Sequence, residues 1–318
     1  MAEQDPVWDV VIVGGGAAGL SAALTLARAR RRVTVVDAGE PRNAPADAVH
    51  GLLALDGVSP GELLARGRQE VLGYGGDLVA DEVVDVQLGT CGFAVALRNG
   101  PTLQARRLLI ATGLADELPD IPGIREQWGH GVLHCPYCHG WEVRDRSVGV
   151  LATGPMSVHQ ALLFRQWSPY VVFFAGEQPP APEDRARLHA LDIAIIEGPI
   201  AQVEVVGDRV TGVRLADEQL IEVDVAVVSP RMVARADVFA GIGVEPTEHP
   251  AGSFIEADAT GRTSVPGVWV AGNASDLSAQ VSAAAAEGAR AAQHINADLV
   301  MEDLAEAVAA VGRERAHR

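Results

Sequence analysis

The chain contains no lysine; all 25 of its basic residues are arginine. This excludes a Schiff-base lysine, a pyridoxal phosphate anchor and a P-loop lysine, because each of those chemistries needs a primary amine at a fixed place. Positive charge of any kind is in short supply. Against 42 Asp and Glu the arginines leave a formal charge of −17, which argues against nucleic acid or an anionic membrane as partner, since both bind a basic face. Cysteine is scarce as well, at 3 in 318 residues. Three thiols make no structural disulfide framework, so a close pair among them points to catalysis or metal binding. Met1 to Trp8 lacks a basic region ahead of an apolar core, and a cytoplasmic location is expected. The uncharged run from Val10 to Ala27 is broken by Gly14, Gly15 and Gly16, so it parses as strand, loop and helix rather than as a membrane span.

What is present is built for electrons. A hydrophobic share of 48% supplies cores for about two domains. The chain opens with a βαβ pattern: strand Asp9 to Val13, helix Ala18 to Ala29, strand Arg32 to Val36. Gly14, Gly16 and Gly19 fall at the turn, where backbone must approach a pyrophosphate and the amides of Ala17 and Ala18 at the helix start can bind it. Asp37, followed by Ala38, ends the second strand where a carboxylate can accept hydrogen bonds from a ribose. Further on stands Cys135-Pro136-Tyr137-Cys138-His139. A dithiol pair on the same chain as a dinucleotide turn implies electron transfer between the two. With His134 and His139 the pair also offers two sulfurs and two imidazoles, a donor set of zinc type, but these histidines directly adjoin the cysteines, unlike common zinc spacings; no metal is expected. Cys91 reads as a core or loop thiol. Near the other end, Thr263 to Asn273 reads as turn, buried strand and glycine. The helix that follows, Ser282 to Ile295, brings a partial positive charge beside Gln280 and Val281. An amphipathic helix ending in basic residues is expected over Ala305 to Arg318.

Together, the Gly14 turn, Leu109-Ile110-Ala111-Thr112-Gly113, the CxxC pair and Val265 to Gly272 resemble the low-molecular-weight thioredoxin reductase family of flavoproteins. The resemblance spans nearly the whole chain. It implies an α/β fold of two Rossmann-like, three-layer nucleotide-binding domains, the second inserted into the first. Residues 1–114 and 244–318 would form the FAD domain and 115–243 the insert carrying the CxxC. FAD would meet Gly14, Gly16, Ala17, Ala18, Gly19, Asp37, Ala38, Arg42, Asn43, His50, Ala111, Thr112, Gly113, Gly272, Asn273, Gln280 and Val281. A homodimer is the family expectation.

Departures from the family pattern narrow the function. After strand Val148 to Leu151, Ala152 to Ser157 lacks the first glycine of the Gly-x-Gly-x-x-Ala loop of NADPH-using reductases. After strand Tyr170 to Phe174, where those reductases carry arginines for the 2′-phosphate, stand Ala175-Gly176-Glu177-Gln178-Pro179-Pro180. A phosphate needs Arg or Lys donors, so both departures speak against NADPH; Glu177 suits the ribose of NADH instead. His139 replaces the usual acidic residue after the second cysteine, and a neutral imidazole can take and return a thiol proton near pH 7. Cys-Pro-Tyr-Cys-His-Gly, together with Arg42, Asn43 and the stretch through His50-Gly51, is similar to the dithiol oxidase branch of the family, which closes disulfides in compounds such as holomycin and gliotoxin. That branch implies a dithiol as electron donor, Cys135, Cys138 and His139 as catalytic residues, and dioxygen as acceptor. The other readings are a nicotinamide-dependent reductase acting on a thioredoxin-like protein, and a redox sensor or zinc module. Leu52 to Leu55 and Trp141 are expected near a substrate pocket.

Overall fold

The computed structural model describes residues 7–316. Residues 1–6, and His317 and Arg318 at the end of the expected basic tail, lie outside the described residues. Strand Trp8–Val13 anchors the first unit. It pairs in parallel with Val33–Asp37 on one side and Leu103–Ile110 on the other. Val10 and Ile12 face one core while Val11 and Val13 face a second, all four buried. A strand buried on both faces reads as an unbroken apolar run, which is why this segment shows no alternation. Asp77–Ala80, Gly92–Leu97, Val83–Gly89 and, from the far end of the chain, Val268–Val270 complete a seven-stranded sheet.

The helices are α1 (Ala17–Arg28), α2 (Pro60–Gly73), α3 (Pro136–His139), α4 (Ser157–Phe164), α5 (Pro182–Ala190) and α6 (Val281–Ala316). The two separate C-terminal helices expected from the sequence are one: α6 runs 36 residues without a break, about 54 Å at 1.5 Å per residue. Alanine is the best helix former, and nothing between 295 and 305 is a Gly or Pro that would stop it. Small residues let α6 cross α1 closely: a side chain at Gly288 would stand 2.0 Å from the Ala18 carbonyl oxygen. Arg31 and Arg106 both reach Asp303, and Arg107 reaches Asp298 at 2.7 Å, pinning the middle of α6 to the sheet.

The second unit is a five-stranded parallel sheet, in the order Ala194–Glu197, Val171–Gly176, Val148–Leu151, Val225–Val227 and Val132–Leu133. Helices α4 and α5 cover one face through Ala161, Phe164 and Leu188. The antiparallel meander Ile200–Val206, Arg209–Leu215 and Leu220–Ile221 covers the other through Val203, Val210 and Val213. The fold is thus α/β, with two layered nucleotide-fold units. The chain crosses between them on adjacent antiparallel strands, Leu114–Glu117 and Arg231–Ala234. Ala234, Ala236, Phe239 and Ile242 pack into a core of the first sheet, so the return crossing lies about ten residues ahead of the expected position at 243.

Candidate functional site

One cavity of about 1710 Å³ runs from the glycine turn after strand Trp8–Val13 to the CxxC pair, larger than the roughly 300–1,000 Å³ of ordinary ligand pockets. At one end lie Gly14, Gly16, Ala17 and Ala18. Gly14 holds φ +107°, and a Cβ there would stand 2.3 Å from the Ala111 carbonyl oxygen, so only glycine fits this turn. A Cβ built on Gly16 meets nothing within 4 Å, leaving room for a ligand to approach the backbone. Helix α1 opens here with no acidic residue in its first turn and no side-chain cap, so its first amides point unmet into the cavity, a natural anion site. Gly19 does not line the cavity. A Cβ there would stand 1.9 Å from the Gly14 carbonyl oxygen, so this glycine lets helix and strand close up.

Asp37 and Ala38 line the cavity beside the turn. The Asp37 carboxylate accepts the Gly15 N–H at 3.1 Å and Arg68 Nη2 at 2.8 Å. Arg42 and Asn43 also line it, but the Arg42 guanidinium forks onto Asp116, with Nε and Nη2 each at 2.7 Å. It is therefore committed to an ion pair and is not a free ligand for a cofactor; the Asp116 side chain is only 7% exposed. His50 lines the cavity too, with its ring between Asp56 at 3.5 Å and Glu142 at 3.4 Å. Ala111, Thr112 and Gly113 form the floor, and the Thr112 hydroxyl donates to the Arg235 carbonyl at 2.8 Å, tying down the return crossing. From the far end of the chain come Gly272, Asn273, Gln280 and Val281. Asn273 Nδ2 donates to the carbonyls of Asp276 and Ala279, both at 2.9 Å, which leaves Oδ1 as an acceptor. Glu287 accepts the Gly272 N–H at 2.8 Å, and burial pushes its carboxyl above the usual range.

At the other end Cys135 and Cys138 are joined as a disulfide with Cα atoms 5.3 Å apart. Cys135 caps the one-turn helix α3, and the Cys138 N–H donates to its Sγ at 3.2 Å. His139 lines the same cavity, and burial pushes its imidazole below the ordinary 6.5. His134 is also pushed down by burial, the hydrogen bond to Val228 pulling the other way. Leu52 to Leu55 and Trp141 are not among the lining residues. Leu53 is 96% exposed, and Trp141 stacks under Arg144 at the surface. Cys91 lies in the open turn after Val83–Gly89, exposed and unpaired, because the buried positions of the next strand belong to Phe93, Val95 and Leu97. Among the described residues no cluster of three or more His, Cys, Asp or Glu is placed to hold a metal ion.

Four amides of the nucleotide loop of the second unit are engaged within the protein. Ala152 N–H donates to Phe174, Thr153 N–H to Leu151, Gly154 N–H to Ser157 Oγ and Ser157 N–H to Gly154. Pro155 has none. Ser229 fills the remaining space: its N–H donates to Thr153 Oγ1 at 2.8 Å, and a Cβ on Gly154 would stand 2.9 Å from its own Cβ. Gln160 extends this buried network to the His134 carbonyl at 2.9 Å, next to Cys135. Glu177 stands exposed after Val171–Gly176. The sequence reading missed Ser229, Gln160, Asp116 and Glu142, none of which stands in a motif.

A family model described as pyridine nucleotide-disulphide oxidoreductase matches residues 8–288. Thioredoxin reductase sirT of Leptosphaeria maculans is 30% identical over 96% of this chain and 98% of its own. Thioredoxin reductase tcpT of Claviceps purpurea is 40% identical, but the match takes in 48% of this chain, and the chain spans about half the length of that relative, 50%. The crystal structure of HlmI superimposes with a TM-score of 0.92 at 47% identity, covering 96% of this chain and 97% of the other.

Proposed function

Because the chain belongs to the pyridine nucleotide-disulphide oxidoreductase family, in which the thioredoxin reductase-like proteins bind FAD, we propose that it is a flavin-dependent dithiol oxidase. The observation that supports this reading is loop 152–157, where the amides of Ala152, Thr153, Gly154 and Ser157 are already engaged within the protein and Pro155 has none, so few are left for a nicotinamide nucleotide's phosphates. The glycine turn of the first unit, by contrast, fits FAD: Gly16 is open to the cavity and the start of α1 is unmet. In this proposal the FAD domain is residues 1–114 plus the C-terminal segment, with the CxxC module between. Gly14, Gly16, Ala17 and Ala18 take the pyrophosphate, Asp37 and Ala38 the ribose, and Asn273 Oδ1 the ribityl chain. Asn43, Ala111 to Gly113 and Gly272 flank the cofactor, and Gln280 and Val281 bring the α6 N-terminus to the flavin ring. Bound FAD would supply a two-electron acceptor, with dioxygen as the final acceptor and hydrogen peroxide as its product.

The chain's own residues do the rest. A substrate thiolate attacks Cys135 Sγ, the Cys135–Cys138 bond breaks, and Cys138 leaves as thiolate. The second substrate thiol then attacks the substrate sulfur of the mixed disulfide, closing the product disulfide and releasing Cys135. The Cys138 N–H stabilises that Cys135 thiolate, as amide donors do for charged acceptors. His139 takes the protons of the substrate thiols. The enzyme disulfide closes again as its two electrons pass on. The cavity also takes in Met156, which precedes α4, and His159 and Leu163 on α4, which supports a small-molecule dithiol over a thioredoxin-like protein.

The test is stoichiometric. With dithiothreitol in air, oxygen uptake and peroxide should appear one to one with disulfide, without any nicotinamide, and Cys135→Ser should abolish both. Oxygen-independent turnover that requires NADH or NADPH would overturn the proposal and leave a disulfide reductase.

A further inference from the structure

The redox pair hangs from the edge of the second sheet. Strand Val132–Leu133 is the outermost of that sheet, paired with Val225–Val227, and beyond the pairing the Val228 N–H donates to the Leu133 carbonyl at 2.9 Å. The next carbonyl, that of His134, accepts from Gln160 Nε2 at 2.9 Å. The same Nε2 stands 2.9 Å from His134 Nδ1 and 3.4 Å from the Val228 carbonyl. Carbonyls only accept, so the two of them turn the amide nitrogen of Gln160 inward and its oxygen away. That oxygen accepts the Ser229 hydroxyl at 2.5 Å. Ser229 is held by its N–H on Thr153 Oγ1, and the Ser157 hydroxyl stands 3.4 Å from its own. Ser157, Gln160 and Ser229 are 2%, 4% and 7% exposed, and in a network so far removed from water each member dictates the orientation of the next.

Building on the dithiol oxidase reading, we propose that Gln160 is a positioning residue for the redox pair, with Ser229 and loop 152–157 as its support. Its bonds run to the main chain and the ring of His134, so it acts through that residue. It fixes the peptide that enters Cys135, the sulfur under attack, and with it the line along which a substrate thiolate meets the Cys135–Cys138 bond. Cys135 caps α3, and Cys138 rides on that helix; one turn is too short to hold its own place. No bond forms or breaks at Gln160. The segment that resembles a nucleotide loop serves in this account to hold a disulfide.

Gln160→Glu tests the amide hydrogen. It keeps the length of the side chain and the acceptor for Ser229. Ionised, it has no hydrogen for the His134 carbonyl; protonated, its O–H supplies one. Burial raises a carboxyl pKa, so this exchange should fall between pH 6 and pH 9. The titratable group in contact is His134, on which Arg42 and Asp116 bear from the first unit and the first crossing strand; all three are the same in the wild type, which serves as reference at every pH. The FAD-loaded proteins are mixed with dithiothreitol without oxygen and quenched in acid. Thiols at Cys135 and Cys138 are read by labelling and mass spectrometry, and flavin absorbance is followed in parallel. At pH 9 and saturating dithiol, Gln160→Glu should open the disulfide about tenfold more slowly than the wild type, a modest share of the 10²-fold that a 1 Å misplacement can cost. The deficit should shrink toward pH 6, while the half-saturating dithiol concentration and the resting flavin spectrum stay unchanged. Ser229→Ala, which releases the amide oxygen, should slow opening less and equally at every pH. A wild-type rate in Gln160→Glu overturns the proposal, as does a deficit that ignores pH or lies wholly in the half-saturating concentration. If Gln160→Glu does not fold, a wild-type rate in Ser229→Ala overturns it. Opening of the wild-type disulfide without flavin bleaching would instead sink the oxidase reading, and the opening rates would still decide the role of Gln160.

Discussion

At His139, burial decides the charge state. Desolvation pushes the imidazole below 6.5; Glu142 opposes it, His50 reinforces it, Asp47 opposes it and His130 reinforces it. The neutral ring is therefore the base at pH 7, and its activity falls only as pH drops below about 6.5. The same shift makes folding acid-sensitive. Above about 6.5 neither the folded nor the unfolded histidine is protonated and no penalty exists. As pH falls below that value the unfolded state takes up the proton first, so stability is lost until the folded pKa is passed. Each such histidine contributes at most about 1.4 kcal/mol per pH unit, and His134, lowered in the same way, adds its share. His139→Asn should cut the rate of dithiol oxidation about 100-fold and remove the acid limb of the kcat profile. An unchanged limb would assign it to another group.

Among the elements, the segment 38–58 does more than its sequence announces. Arg42 forks onto Asp116 at the first crossing strand, Pro45 packs on Gly129, where an added Cβ would stand 2.8 Å from its own, and His50 reaches Glu142. Three contacts thus clamp the CxxC unit against the first one. Arg42→Met strands a charge at Asp116 and should cost about 3 kcal/mol, the lower range for breaking a buried pair. The double variant Arg42→Met/Asp116→Leu should recover most of it, both read from urea midpoints. Additive losses would show the pair to be uncoupled. What the sequence made legible here were the local patterns: the glycine turn, its strands and the CxxC each depend on neighbours along the chain. Asp116 lies 74 residues from Arg42 and Ser229 lies 76 from Thr153, and such pairs leave no periodicity to read. Gly19 misleads for another reason: a glycine needed for helix–strand packing looks the same in sequence as one needed by a ligand. The unbroken α6 shows the limit of expecting a helix to end where its apolar pattern fades, since its arginine anchors lie on other strands.

On the scale of the whole molecule, two nucleotide folds share one chain, and in the proposed account only the first keeps a phosphate site. In the first unit Gly16 leaves the turn open to the cavity; in the second, Ser157 Oγ takes the Gly154 N–H, and the Ser229 N–H donates to Thr153 Oγ1. A reductase needs both sites and a way for each to reach the flavin in turn. The disulfide lines the same cavity as the glycine turn, which in the proposed account suits a donor that enters beside the disulfide and an acceptor as small as dioxygen. The most direct test is to follow the flavin absorbance without oxygen while NADPH, then NADH, then dithiothreitol is added. Bleaching by the dithiol alone, with colour and peroxide returning on admission of air, is the predicted result; rapid bleaching by either nicotinamide would contradict the account.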